Sequence, residues 1–186
     1  MRSKTAEKLV SIFIAVLFLF THIVDDLNSV SAVTNSVTAE VVPSADSMYI
    51  GEQVTVTISI DMTGVYPPDD ALGSFTSTLS WDPTILTYNN NSGLLAGFTG
   101  VINTGSAGSG LITFNGANTS GVTGEFIVLT ITFDVISAGI SVLDLGFSAM
   151  AAAATFADLL VILTITDGSF TALCKIYLPL IVNGSE

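Results

Sequence analysis

Basic side chains are scarce in this sequence. Its 186 residues include four Lys and Arg residues and one His against 16 Asp and Glu residues, and the formal net charge is −12. Three of the bases and His22 lie in the first 32 residues, so Lys175 is the one base that follows. Nucleic-acid binding needs many bases to neutralise phosphates, and anionic membranes repel an acidic protein. The composition therefore argues against both kinds of partner.

Histidine and cysteine are also nearly absent. Residues 33–186 contain no His, which excludes Ser-His-Asp or Cys-His catalytic groups and a His-ligated zinc site there. Cys174 is the one cysteine, so it has no partner for an intramolecular disulfide. No spacing pairs two carboxylates as glycosidases do, and no D-x-D-x-D-G calcium loop occurs. We therefore expect a protein that is not an enzyme and that holds no metal and no cofactor of its own.

The N-terminus is typical of an export signal. Residues 1–8 hold three bases, and Leu9 to Phe20 form a 12-residue apolar run that is too short to predict a membrane span. The small-residue motif Val30-Ser31-Ala32 predicts cleavage after Ala32. The alternative is an uncleaved N-terminal anchor. In either case we expect an exported protein that is secreted, extracellular or at the cell surface. If the signal is cleaved, we expect no stable membrane insertion.

Residues 49–172 show the alternation that is typical of β-strands. Gln53 to Met62 and Phe126 to Ile136 alternate apolar and polar side chains with a period of two. In the second run, the side chains expected to face the core are Ile127, Leu129, Ile131, Phe133 and Val135. Shorter runs predict further strands at residues 36–42, 73–81, 85–89, 98–103, 111–115, 140–147, 159–166 and 169–172. The predicted fold is an all-β sandwich of about nine strands with jelly-roll topology.

Two apolar stretches near the C-terminus need separate interpretation. Almost every residue from Phe147 to Ile165 is apolar, but Asp158 lies inside the stretch and argues against a membrane span. We predict a covered loop or short helical turn at residues 149–157 and a buried strand at residues 159–165. Residues 174–186 form an apolar tail that is too short to cross a membrane. This tail is either a sorting segment or an edge segment that docks on the sandwich.

Four sequence blocks, in a fixed order, resemble the cohesin domain, the β-sandwich module that holds dockerin-bearing proteins in bacterial cellulosomes. The blocks are Gly51-Glu52 with the following VTVTISI, FTSTLSWDPTIL, GEFIVLTITFDVISAG, and the pair Phe156-Ala157-Asp158 and Asp167-Gly168-Ser169-Phe170. The resemblance covers about residues 49–172. The expected organisation is a signal peptide at 1–32, a lead-in with the first strand at 33–48, a cohesin-like sandwich at 49–173 and the tail at 174–186.

The resemblance also implies a function. Cohesins are non-catalytic modules that bind a dockerin across one sheet face, and the calcium belongs to the dockerin. The family's Asn and Asp on the contacting strand correspond here to Ser74 and Thr76, which have neither the amide nor the carboxylate. The resemblance predicts a partner-binding face at Ser74, Thr76, Thr78, Ser80 and Asn115. It implies a scaffolding role in extracellular polysaccharide breakdown.

Aromatic residues separate this function from the alternatives. Trp81 is in phase with Leu79, so we predict that it is a core anchor, together with Leu86 and Phe133, and not a sugar platform. Direct carbohydrate binding is the main alternative function, because cellulose-binding modules have related sandwich folds. The candidate exposed aromatics for it are Tyr49 and Tyr66. A surface-adhesion or structural domain is also compatible with this fold.

Overall fold

The computed structural model describes residues 35–175, which form eleven β-strands. The predicted signal peptide and residues 176–186 of the tail lie outside the described residues. The strands are β1 (Val37–Pro43), β2 (Ser47–Tyr49), β3 (Gln53–Asp61), β4 (Leu72–Ser80), β5 (Leu86–Asn91), β6 (Thr99–Asn103), β7 (Leu111–Val122), β8 (Glu125–Val135), β9 (Gly139–Ala152), β10 (Leu163–Thr166) and β11 (Gly168–Leu173). Within residues 35–175, no helix has the length and apolar character needed to cross a membrane.

The strands form two sheets of a β-sandwich. One sheet has five strands in the order β10-β1-β3-β8-β5, and the other has six in the order β2-β11-β9-β4-β7-β6. The pairs β1–β10 and β11–β2 are parallel, and the others are antiparallel. The predicted sandwich is confirmed, with eleven strands instead of about nine. Strand β2 was not predicted, since three residues are too few to leave a periodic pattern.

Alternating apolar side chains from both sheets build the core. In β3, Val54, Val56, Ile58 and Ile60 are fully buried, and the intervening threonines face outward. Strands of the other sheet contribute Phe114 and Phe170, which are also fully buried. Each large apolar side chain removed from water in this way stabilises the fold by about 1.5–3 kcal/mol.

The predicted phase of β8 is wrong at its start. Val128 and Leu129 are both fully buried, whereas Ile127 is 44% exposed. The cause is a β-bulge: Ile58 pairs with Leu129 and Ser59 pairs with Ile127, so Val128 is an extra residue in β8. Because the bulge reverses the phase, Ile127 faces solvent. Leu129, Ile131, Phe133 and Val135 face the core as predicted.

Two predictions for the C-terminal apolar stretch are also wrong. Strand β9 continues to Ala152, through part of the predicted loop at residues 149–157. The predicted buried strand at 159–165 is instead a single 3₁₀ turn at Leu160–Ile162 followed by the short strand β10. Strand β10 is largely exposed because it lies at the edge of the five-stranded sheet. Leu159 is the one residue of this segment that is fully buried in the core.

Candidate functional site

The predicted partner-binding residues lie on the outer side of the six-stranded sheet. In β4, Phe75, Ser77 and Leu79 point into the core. The alternate side chains point to the outer side and are half-buried, and they are Ser74, Thr76, Thr78 and Ser80. Because β4 is paired on both sides, with β7 and β9, these side chains lie within the sheet and not at its edge.

The strand register shows what surrounds each of these side chains. Thr76 lies opposite Asn115 of β7 and Ala149 of β9. The other outward positions of β4 pair in the same way, Ser74 with Ala117 and Ala151, Thr78 with Thr113 and Gly146, and Ser80 with Leu111 and Asp144. We call the surface formed by Ser74, Thr76, Thr78, Ser80, Asn115 and these neighbours the β4 face. All five residues predicted from the sequence therefore share one surface.

The β4 face carries little charge. Its neighbours in β7 and β9 are mostly Ala, Gly and Thr, and Asp144 is its one carboxylate. The Ser80 hydroxyl donates a hydrogen bond to Asp144 at 3.4 Å. Apolar groups lie at its margins, with Val101 of β6 61% exposed and Leu111 38% exposed. Such a surface offers hydroxyl and amide groups in the centre and apolar contact at the side.

A bulge in β9 keeps small residues on the β4 face. Ser77 pairs with Phe147 and Thr76 pairs with Ala149, which leaves Ser148 as an extra residue. The buried Ser77 hydroxyl donates to the Gly146 carbonyl at 2.8 Å beside this bulge. As a result, Ala149 and Ala151 lie on the outer side while Met150 is buried in the core.

The outer side of the five-stranded sheet has a different character. It carries four carboxylates, Glu40, Asp61, Glu125 and Asp134, on β1, β3 and β8. Asp134 accepts hydrogen bonds from Gln53 at 2.8 Å and from Asn89 at 2.9 Å. Within the described part of the chain, no three His, Cys, Asp or Glu residues are grouped so that they could hold a metal ion.

The aromatic residue nearest to the Asp-Pro turn belongs to the core. Trp81 is 6% exposed, its indole N–H donates to the Leu86 carbonyl at 2.9 Å, and its ring meets that of Phe133 at 4.8 Å between centroids. Leu86 and Phe133 are fully buried. Asp82 caps the following turn, because its carboxylate accepts hydrogen bonds from the Thr84 hydroxyl and from the Thr84 backbone N–H. These bonds, the hydroxyl's most of all, lower the pKa of Asp82.

Phe156 is an exposed aromatic that sequence reasoning missed. It lies in the loop after β9, it is 81% exposed, and its φ of 60° is in the left-handed region. In the sequence it stands out only as part of the Phe156-Ala157-Asp158 block. An aromatic residue that ends an alanine-rich segment, outside any strand periodicity, was the available signal. The two predicted exposed aromatics, Tyr49 and Tyr66, are 41% and 49% exposed.

Comparison with known proteins identifies structural neighbours. No protein-family model and no curated protein matches the chain. A non-cellulosomal cohesin from Archaeoglobus fulgidus matches with a TM-score of 0.58 at 16% identity, over 74% of this chain and 91% of that one. A scaffoldin B cohesin from Acetivibrio cellulolyticus, in complex with a dockerin, gives 0.60 at 12%, over 74% and 99%. A type I cohesin–dockerin complex from Clostridium thermocellum gives 0.56 at 14%, over 73% and 99%.

Identities of 12–16% establish a shared fold and no more. Each match covers nearly the whole length of the cohesin. It also covers 73–74% of this chain, which is about the fraction of the sequence that residues 35–175 represent. The resemblance inferred from the four sequence blocks is thus confirmed in three dimensions. The chain has the cohesin fold.

Proposed function

We propose that the chain is a non-catalytic extracellular binding module that recognises a dockerin-like protein partner through the β4 face. The cohesin fold supports this proposal, and two of the structural neighbours were solved as complexes with dockerins. The partner carries the calcium, and the module contributes protein side chains alone. Its biological setting is the assembly of enzymes or substrates in polysaccharide breakdown.

The observation that carries the proposal is the arrangement of the β4 face. Five polar side chains project from paired strands that a buried core holds in place, so little conformational entropy is lost when a partner docks on them. The outer side of the five-stranded sheet, by contrast, has four carboxylates to desolvate. Between the two sheet surfaces, the β4 face is therefore the one suited to close contact with a protein.

Ser74 and Thr76 give this face its own specificity. Their hydroxyls each offer one donor and two acceptor positions and carry no charge. Some partner surfaces carry basic groups that pair with a carboxylate at these positions. On this chain those basic groups would find no counter-charge, which disfavours binding. The preferred partner therefore presents neutral hydrogen-bonding groups opposite Thr76, with Asn115 beside it.

Direct carbohydrate binding receives less support. Sugar platforms need exposed aromatic rings in one plane. Trp81 is buried, and the exposed aromatics Tyr49, Tyr66 and Phe156 lie on three separate segments of the chain. The β4 face itself has no aromatic side chain on its outer side.

Calorimetric titration with purified dockerin modules encoded in the same genome tests the proposal. We expect binding in calcium that chelation abolishes, since the metal belongs to the partner. Thr76→Arg should abolish it too, because a long charged side chain in the centre of the β4 face obstructs contact. The matched control is Thr57→Arg, which places the same charge on β3 in the other sheet and should leave affinity unchanged. Absence of any dockerin binding, or equal affinity for Thr76→Arg and wild type, would refute the proposal.

A further inference from the structure

A cleft of about 210 Å³ lies at one end of the β4 face. Its lining comes from β4, β7, the end of β9 and the loop that follows β9, and it includes Gly73, Ser74, Ala117, Ala153 and Phe156. Ser74 and Ala117 are paired residues of the β4 face, so the cleft continues that surface. Most of its lining is small and apolar, and none of the lining side chains is charged.

The loop that presents Phe156 is held firmly. The Ala153 N–H donates to the Ala71 carbonyl at 2.9 Å, and the Phe156 N–H donates to the Ala152 carbonyl at 3.2 Å. The Thr155 hydroxyl donates to the Asp69 carboxylate. Gly73 allows the loop to approach, because a Cβ at this position would lie 2.6 Å from the Cα of Ala153. The position of Phe156 is thus set by the fold.

The backbone conformation of Phe156 has an energetic cost that the burial of its own side chain does not offset. A left-handed backbone costs a residue other than glycine about 1–2 kcal/mol, and Phe156 adopts it at a φ of 60°. Its side chain is 81% exposed, so burial returns little of that cost. Strained residues that the surrounding structure holds in place cluster at active sites and ligand-binding segments. An exposed aromatic beside an apolar cleft is what an interface anchor requires.

Charge indicates what the cleft accepts. The loop before β4 carries Asp69 and Asp70 and contacts the Phe156 loop through the Thr155–Asp69 hydrogen bond, and the Phe156 loop carries Asp158. Lys175, the one base among residues 35–175, is engaged elsewhere, 3.7 Å from Glu52 and 5.0 Å from the Tyr49 ring centroid. An apolar interior bordered by carboxylates complements an apolar side chain whose neighbours are basic. A second copy of this acidic chain does not meet that description.

We propose that the Phe156 cleft receives an apolar side chain of the protein partner, projecting from a surface where Lys or Arg residues flank it. This inference rests on the proposed function, because the cleft extends the β4 face. The partner's side chain packs against the Phe156 ring and the small residues of the floor, and its basic neighbours lie near Asp69, Asp70 and Asp158. The cleft determines which dockerin-like partner binds the face.

Titration of the chain with the dockerin that binds it tests this proposal. Phe156→Ala should weaken affinity by about tenfold or more, as truncation of an interface aromatic commonly does. Tyr49→Ala, which removes an exposed aromatic from β2, is the matched control and should not change affinity. Wild-type affinity should fall with added salt, because carboxylates and basic residues attract each other across the interface. Thermal unfolding of each variant shows that it is folded.

The outcomes distinguish failure of the cleft proposal from failure of the proposed function. Wild-type affinity for Phe156→Ala, together with loss of binding for Thr76→Arg, would overturn the cleft proposal and leave the proposed function intact. Failure of all dockerins to bind would overturn both. If Phe156→Ala instead reduces retention on insoluble cellulose or chitin without any protein partner, the cleft is a sugar site and the protein-partner proposal is wrong.

Discussion

Replacement of Trp81 by Ala tests how the two sheets are joined. Trp81 is 6% exposed, its ring contacts Phe133 edge to face, and its N–H donates to the Leu86 carbonyl. Truncation removes this buried ring and leaves a cavity between the sheets. Substitutions of this kind lower the free energy of unfolding by about 3–5 kcal/mol. The lost hydrogen bond, worth about 0.5–1.5 kcal/mol, is included in that range.

Trp81→Phe separates the two contributions. The Phe side chain keeps most of the apolar ring but cannot donate to Leu86, so this variant should lose about 1–3 kcal/mol, the cost of a buried carbonyl without a partner and of reduced packing. The expected order of stability is wild type, then Trp81→Phe, then Trp81→Ala. An equal loss for both variants would mean that the hydrogen bond, not the packing, accounts for the effect.

Urea unfolding followed by far-UV circular dichroism measures these differences. Intrinsic fluorescence cannot be used for the variants, because Trp81 is the one tryptophan in the sequence. Tyr66→Ala is the control, since Tyr66 is 49% exposed and its removal should change the free energy of unfolding by about 0.5 kcal/mol or less. A loss below about 1 kcal/mol for Trp81→Ala would show that Trp81 is not a core anchor and would reopen its assignment as a surface platform.

Two further predictions concern local interactions. The lowered pKa of Asp82 means that its contacts with Thr84 stabilise the fold at pH above the usual carboxyl value of about 4, and that this stability is lost as pH falls through the folded-state pKa. The stability difference between wild type and Asp82→Ala should therefore be constant above about pH 5 and shrink in more acidic solution; a difference unchanged down to pH 2 would contradict this. Phe156→Gly should relieve about 1–2 kcal/mol of backbone strain against about 0.5–1 kcal/mol of added chain entropy, giving a gain of about 0–1.5 kcal/mol in the free energy of unfolding, measured in urea. A loss above 1 kcal/mol would show that the Phe156 ring stabilises its own domain.

The strands that the sequence predicts well are those whose own alternation is unbroken, whatever their partners do. Strand β3 alternates strictly because one of its faces is buried along its whole length. The prediction for β8 failed at Val128 because a bulge is a property of a strand pair, and the alternation of one strand does not contain it. For β9, the segment Ala149 to Ala152 has the composition of a loop or helix, but pairing with β4 extends the strand through it.

The candidate site also has features that the sequence predicts and features that depend on how strands pair. The alternation of β4 is local, so the outward direction of Thr76 and Thr78 could be inferred from the sequence. That Asn115 lies opposite Thr76 depends on the register between β4 and β7, and only the resemblance to cohesins suggested that the two belong together. The cleft beside Phe156 could not be predicted, because it needs the close approach of Ala153 to Gly73, which are far apart in sequence.

The β4 face and the core share the same strands, and this limits how the face can vary. In β4, each outward residue is followed by an inward one, so Thr76 and Thr78 flank Ser77, whose buried hydroxyl is bonded to the Gly146 carbonyl. Outward substitutions leave the buried side chains untouched and should alter binding more than stability. A change at Ser77 breaks a buried hydrogen bond beside the β9 bulge and should alter stability and the shape of the face together. Under the proposed function, partner specificity can therefore change at outward positions of β4 while the sandwich stays intact.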